Sequence, residues 1–313
     1  MGEAIVSGGV AVRCPATSTE VAPAQSTSSR TRLLNPSVAR VENLHRKGGR
    51  HNTTLEGFCT DYQVCFPYQG IFVWHVEGED VVGDPNQIIF VRGGERYRVS
   101  GPVAGGYAEL IISPDVEVLS EIACVNGNAL FEHPLFRRRH WRASPSLQIL
   151  RSRFLHWANR SDGIDGLEAD ESVIALLRAA VQDGRPRDVW CGAATARLIR
   201  RTKEFLEAAL SHHLRLEDVG RAVGASPAYL TDVFSKVEGV SLHQYLMRLR
   251  LSYALVELPH ADDLTMLALE TGFSSHSHFS AAFRRAFGCT PSQFRQMARR
   301  DGQDRRALRA AHD

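Results

Sequence analysis

A repeat constrains this chain more than any other feature. LEDVGRAVGASPAYLTDVFSKVEGVSLHQY, from Leu216, aligns with LTMLALETGFSSHSHFSAAFRRAFGCTPSQF, from Leu264. Leu216 pairs with Leu264, Val219 with Leu267 and Gly224 with Gly272, at an offset of 48. After the turn the offset is 49, pairing Leu230 with Phe279, Phe234 with Phe283, Gly239 with Gly288, Ser241 with Thr290 and Tyr245 with Phe294. Each copy reads as a short helix, a glycine turn and a second helix, the spacing of a helix-turn-helix unit. Gly224 and Gly272 stand where a helix ends in the left-handed region. Ser226-Pro227 forms an N-cap and first-turn pair, and Ser274 or Ser275 can cap the matching helix. Ser241…Gln244 and Thr290…Gln293 both have the form of a capping box.

The second helix of the second copy divides into two faces. Phe279, Phe283 and Phe287 recur every four residues and form an apolar stripe that belongs in a core. The opposite face carries His276, Ser277, His278, Ser280, Ala281, Arg284 and Arg285. On an isolated bundle such a face is only solvated. In the second helix of this unit it is the face that enters the major groove, N-terminal residues first. Between the copies, Leu242–Leu258 can form one helix with Tyr245, Leu246, Leu249 and Leu255 on its apolar side. At 1.5 Å per residue it spans roughly 26 Å. A strut of that length can set two recognition helices about 34 Å apart, one turn of DNA.

These quoted segments resemble the DNA-binding domain of the AraC/XylS family of bacterial transcription regulators, over about Arg197 to Arg299. The resemblance implies seven helices and two helix-turn-helix units on a shared long helix. It also implies base-facing roles for Ala228, Tyr229, Thr231 and Asp232 in the first unit, and for His276, Ser277, His278 and Ala281 in the second. Family members often carry a basic residue where Asp232 and Ala281 stand, so the first unit is expected to read fewer bases, or different ones. Gly220 replaces a common alanine, at some cost in helix propensity. Lys236, Arg284, Arg285 and Arg295 are candidates for phosphate contacts, with a plain solvated charge as the alternative for each.

Charge is consistent with this reading without requiring it. From Ala193 onward there are 17 Lys+Arg against 13 Asp+Glu, and before it 20 against 22. The excess of positive charge lies beside the repeat.

Upstream, residues 1–38 are rich in Ser, Thr, Ala and Pro and lack apolar periodicity, which predicts a disordered tail. The first residues show no secretory leader, and Val6 breaks a myristoylation pattern, so the chain reads as cytoplasmic. Residues 39–125 alternate β-rich runs with turn clusters, predicting strands at Ile71–Val76, Val81–Val82, Gln87–Val91, Tyr97–Val99 and Tyr107–Ile112. This predicts a small antiparallel barrel or sandwich, and by analogy with the family a cupin-like domain that senses an effector or mediates dimerisation. Phe72, Trp74, Tyr97 and Tyr107 could line an effector pocket there, or simply fill the core. His75 stands alone in WHVEGED, and Arg96-Tyr97 occupy the later ligand position of metal-using cupins, so no metal or other cofactor is expected. His45, His51, Cys59 and Cys65 could make a thiol–imidazole site but read more simply as scattered residues. The six cysteines have no CxxC pair and read as free thiols.

Residues 126–192 predict a helical linker. Leu147, Leu150, Phe154 and Trp157 share one helix face, and Val173, Leu176, Leu177 and Ala180 another, as a dimer seam or a bridge between domains. The repeat domain occupies 193–300, and 301–313 forms a flexible tail. The fold class is therefore α+β multidomain: a cupin-like β-barrel followed by an all-α domain with two helix-turn-helix units. The leading reading is a non-enzymatic, sequence-specific transcription regulator, effector-responsive and homodimeric, acting on double-stranded promoter DNA and, as an activator, on RNA polymerase, with no membrane partner. The alternatives are a cupin-type metalloenzyme with a helical appendage, and a ligand-binding adaptor that has lost DNA binding.

Overall fold

The computed structural model describes residues 27–34, 36–47, 52–53, 56–123, 138–160, 166–183 and 191–299. Among these residues, eleven strands make two antiparallel sheets. The strands are β1 (Thr27–Leu34), β2 (Ala39–Lys47), β3 (Asn52–Thr53), β4 (Gly57–Cys59), β5 (Gln63–Gly70), β6 (Phe72–Val76), β7 (Glu79–Gly83), β8 (Gln87–Val91), β9 (Glu95–Gly101), β10 (Tyr107–Pro114) and β11 (His140–Arg142). The larger sheet runs β1-β2-β10-β5-β8-β11 and the smaller β3-β9-β6-β7, with β4 also on β9. No ladder joins the two among the described residues, so the β domain is a pair of facing sheets rather than a closed barrel.

Alternation along β10 shows how the larger sheet is used. Ala108, Leu110 and Ile112 face a helical layer, whereas Tyr107 and Ile111 face the smaller sheet. Both faces are buried, which is why YAELII reads as one unbroken apolar strand apart from Glu109. The helical layer is α1 (Val116–Ala123), α2 (Pro145–Arg160) and α3 (Gly166–Asp183). Leu147, Phe154, Trp157, Val173, Leu176, Leu177 and Ala180 all join the core against the sheet. The apolar faces proposed as a dimer seam are thus consumed within the chain. The 126–192 segment is also more than a linker, because β11 extends the larger sheet beside β8.

The tail boundary needs correction. Residues 27–34, expected in a disordered tail, form β1 and pair with β2 from Thr27↔Lys47 to Leu34↔Val41. Ser28 and Arg30 lie along a cavity between the sheets. With a polar inner side, the strand lacks the apolar alternation by which strands are recognised. His51 and residues 301–313 lie outside the described residues.

The C-terminal region is helical: α4 (Ala193–Ala208), α5 (Leu216–Val223), α6 (Pro227–Glu238), α7 (Leu242–Glu257), α8 (Leu264–Glu270), α9 (His276–Phe287) and α10 (residues 291–299). Two cores flank α7. One gathers Ile199, Leu206, Val219, Leu230, Phe234 and Tyr245, and the other Leu255, Leu267, Phe273, Phe279, Phe283 and Phe294. The strut therefore serves both units with opposite sides of one helix. No described helix is long and apolar enough to cross a membrane.

Candidate nucleic-acid interface and the cavity of the β domain

Local chemistry places the second helix of each unit. Ser226 Oγ accepts from the Tyr229 amide and Pro227 opens α6; Gly239, at φ 66°, closes it. Ser275 Oγ accepts from the His278 amide and Gly288, at φ 73°, closes α9. Each N-cap contributes about 1 kcal/mol. The turns are equally specific. A side chain at Gly272 would meet the Leu210 carbonyl at 2.5 Å and the Arg250 guanidinium at 2.7 Å. Arg250 in turn holds the carbonyls of Leu210 and His212 at 2.9 and 2.7 Å. Gly220 has a comparable reason, since a Cβ there would lie 2.7 Å from the Ala225 carbonyl oxygen.

On α9 the apolar stripe is spent as expected. Phe279 and Phe283 are fully buried, and Phe283 stacks edge-on with Phe287 and Phe294. His276, Ser277, His278, Ala281, Arg284 and Arg285 are all exposed. The guanidinium groups of Arg284 and Arg285 have no hydrogen-bond or ion-pair partner among the described residues. His278 is steadied by Ser274 Oγ at 3.1 Å from Nδ1 and by its edge contact with Phe273. On α6, Ala228, Tyr229, Asp232 and Lys236 are exposed, Tyr229 by 53%. Thr231 is half-buried and its hydroxyl donates back to the Pro227 and Ala228 carbonyls at 3.0 Å. Asp232 accepts from Lys236 at 2.7 Å. Arg295 differs from the other cations, because its Nη1 donates to the carbonyls of Ala261 and Asp262 at 2.9 and 3.2 Å. It braces the loop after α7.

Residues 219–297 match the family model described as a helix-turn-helix domain. The HTH-type transcriptional regulator ExsA of Pseudomonas aeruginosa is 36% identical over 101 residues, which is 32% of this chain and 36% of that protein. The C-terminal third is an AraC-type helix-turn-helix domain. The transcriptional activator RhaR of Klebsiella pneumoniae is 34% identical to the same region over 110 residues, 34% of this chain and 39% of RhaR. An AraC-type DNA-binding domain structure from Chromobacterium violaceum is 28% identical, covering 34% of this chain and 96% of that one, with a TM-score of 0.32. The chain spans just over a third of the length of these two curated relatives.

The AraC-type domain is fastened to the β domain by buried polar groups centred on the turn after β7. Lys203 of α4 reaches Asp84 at 3.3 Å and Glu238, the last residue of α6, at 2.9 Å. Burial pulls the Lys203 ammonium down, but Glu238 and Asp84 more than reverse this, so it is held charged. Arg151 of α2 donates to the Pro67 carbonyl, to the Pro85 carbonyl at 3.2 Å and to Ser252 Oγ of α7 at 3.2 Å. Ser152 Oγ donates to the Leu255 carbonyl at 2.9 Å. The Gly70 amide donates to the Tyr253 hydroxyl at 2.6 Å, and that hydroxyl donates to Glu207. Burial pushes the Glu207 carboxyl up to about 7.

The four aromatic residues proposed for an effector pocket all line one cavity of about 220 Å³ between the sheets. Phe72 and Tyr107 lie 4.5 Å apart, and Trp74 and Tyr97 6.1 Å apart, between ring centroids. Two glycines make room for the rings of this wall: a Cβ at Gly83 would enter the Phe72 ring, and one at Gly57 would meet the Tyr97 ring. Gln63, Arg30, Arg46 and Glu109 also line it. Glu109 was legible in YAELII, as the one charged residue on a strand otherwise buried on both faces. The thiol–imidazole grouping does not form. His45 bonds Tyr68 and Asn43 on the helical side of the sheet, whereas Cys59 and Cys65 belong to the core between the sheets. Both ring nitrogens of His75 are occupied, by Asp80 at 2.6 Å and Ser100 at 2.7 Å.

Proposed function

We propose that the chain is a sequence-specific transcription regulator that lays α6 and α9 in successive major grooves of promoter DNA and answers to a small molecule held between its sheets. One observation carries the DNA reading. The apolar side of each second helix is consumed in its own core, while the polar residues at the head of each stay exposed. The strut α7, at 16 residues, is about 24 Å long, which suits wedges one helical turn of DNA apart. Tyr229 and His276–His278 are then the base readers, and Arg284, Arg285 and Lys236 face phosphate. The pair Asp232–Lys236 is nearly neutral, so the first unit draws less on the DNA backbone than the second. No catalytic step is assigned to the chain. A second copy and RNA polymerase are partners under this reading.

The route from cavity to DNA runs through the turn after β7. β8 contributes Ile89 and Val91 to the cavity wall, and the preceding residues Asp84–Asn86 hold α4 and α7 directly and α6 through Lys203. The test is fluorescence anisotropy of the full chain on DNA fragments from its own upstream region, with base changes scanned across the bound site. The expected result is two sensitive patches about one helical turn apart, with binding that weakens steeply as salt rises. Binding that ignores base sequence throughout would remove the proposal.

A further inference from the structure

We propose that the cavity between the sheets takes a small aromatic amine in its protonated form, with Glu109 as its counter-charge and the rings of Phe72, Trp74, Tyr97 and Tyr107 as its walls. This rests on the reading of the cavity as an effector site and names the chemistry of the effector.

The first observation is that Glu109 is unpartnered. It is only 7% exposed, and its carboxyl has no hydrogen bond or ion pair among the described residues. Its oxygens open onto the cavity, and a carboxylate so largely withdrawn from bulk water is completed by a charged or hydrogen-bonding partner placed there. Burial pushes the group up to about 7, and the nearby Arg30 only partly offsets this. The second observation is that the neighbouring cations are already engaged. Arg30 pairs with Glu42 at 3.1 Å, and Arg46 hydrogen-bonds the Tyr107 phenol. Neither therefore completes Glu109. The third is the wall. Four aromatic rings beside a buried carboxyl form a surface that favours an organic cation, through ring faces and charge together. An anion placed there would meet Glu109 and lose its water with no free cation at depth. The volume, about 220 Å³, suits a single ring with a short side chain rather than a sugar chain or a long acyl tail.

Three probes of one shape separate the possibilities: benzylamine, benzyl alcohol and phenylacetate, each titrated calorimetrically into the full chain. We expect benzylamine to bind about tenfold more tightly than either of the others, because only it offers a charge to Glu109. Glu109→Gln, nearly the same in shape, should bring benzylamine down to the level of benzyl alcohol. Glu109→Met serves if the Gln variant does not fold, judged by a cooperative melt. Phenylacetate binding best, benzylamine binding unchanged in both variants, or no probe binding at millimolar concentration would each overturn the inference. DNA anisotropy on the same samples distinguishes the two failures. Retained DNA binding with no amine binding removes the ligand and leaves the regulator, whereas sequence-blind binding removes the regulator itself.

Discussion

Replacing Lys203 by methionine tests how the two halves are joined. The ammonium is 4% exposed and sits 3.3 Å from Asp84 and 2.9 Å from Glu238, themselves 1% and 8% exposed by side chain. It also lies 5.4 Å from the Tyr245 ring centroid. At an effective dielectric of about 20, each of these ion contacts is a gross attraction of roughly 5 to 6 kcal/mol. Most of that offsets the cost of burying three charges. The variant keeps the packing of the side chain but strands two carboxylates in the interior. Breaking a buried pair in this way costs about 3–5 kcal/mol. The loss falls on the joint, because Asp84 belongs to the β domain and Glu238 to α6. Chemical unfolding followed by tryptophan fluorescence reports mainly the first domain, since Trp74, Trp141 and Trp157 are buried there. Far-ultraviolet dichroism weights the helices. We expect one shared transition in the parent chain and two separated transitions in the variant. The triple change Asp84→Asn, Lys203→Met, Glu238→Gln should recover most of the loss, because it leaves no buried charge unpaired. A cost below about 1 kcal/mol for the single variant, with transitions still coincident, would refute the view that this triad fastens the domains.

Other consequences follow from the same geometry. Glu109 is held near 7 when folded, against an ordinary 4.5, so its contribution is fully present below 4.5 and is lost as pH rises through about 7. Over 2.5 pH units this is at most about 3.4 kcal/mol, and Glu109→Gln should remove up to that much of the stability difference between pH 4.5 and pH 8, measured by urea titration. Arg284→Ala should lower affinity for any DNA sequence and reduce the slope of log affinity against log salt by about 0.9, whereas His278→Ala should cost about 1–3 kcal/mol only on the preferred site. Asp232→Ala frees Lys236 and removes a charge that repels phosphate, so non-specific DNA binding should strengthen; weaker binding in anisotropy would contradict that arrangement.

Local chemistry was readable where it repeats. The caps at Ser226, Ser275, Ser241 and Thr290, the glycines that end the helices and the phenylalanine stripe of α9 all stand as their residue types require. Gln87–Val91 is a strand over the same residues, and the other predicted strands fall within or within one residue of observed ones. Two of the strands that were missed share one cause. β1 carries Ser and Arg on its cavity side, and β5 contains Pro67, which has no amide to donate and lies beside a register shift in the ladder. Both strands break the alternation rule because of what lies next to them. The triad is harder still: Asp84, Lys203 and Glu238 are 119 and 35 positions apart in sequence, and nothing at any one of them announces a partner. Pairing across a fold is a property of topology, which a residue's own neighbours in sequence do not encode.

The position of Glu238 gives the joint its mechanical sense. It is the last residue of α6 and lies 3.7 Å from Arg142 of β11, so the β domain holds the first recognition helix by its tail and leaves Ser226, Ala228, Tyr229 and Asp232 at its head exposed. Among the described residues α9 has no such tether and instead meets α2, whose Ile149 packs into the core of the second unit. A shift of α4 at the Asp84 contact would therefore press on α6 and on Tyr245 of α7 through the core they share, and so bear on the tilt of the first wedge. Two wedges on a stiff strut are sensitive to such a tilt, since both must meet the same face of the duplex. A ligand that moved β8 by a fraction of an ångström would act at the base of that lever. Under the proposed function, such a ligand would change DNA binding by altering the alignment of the two helices.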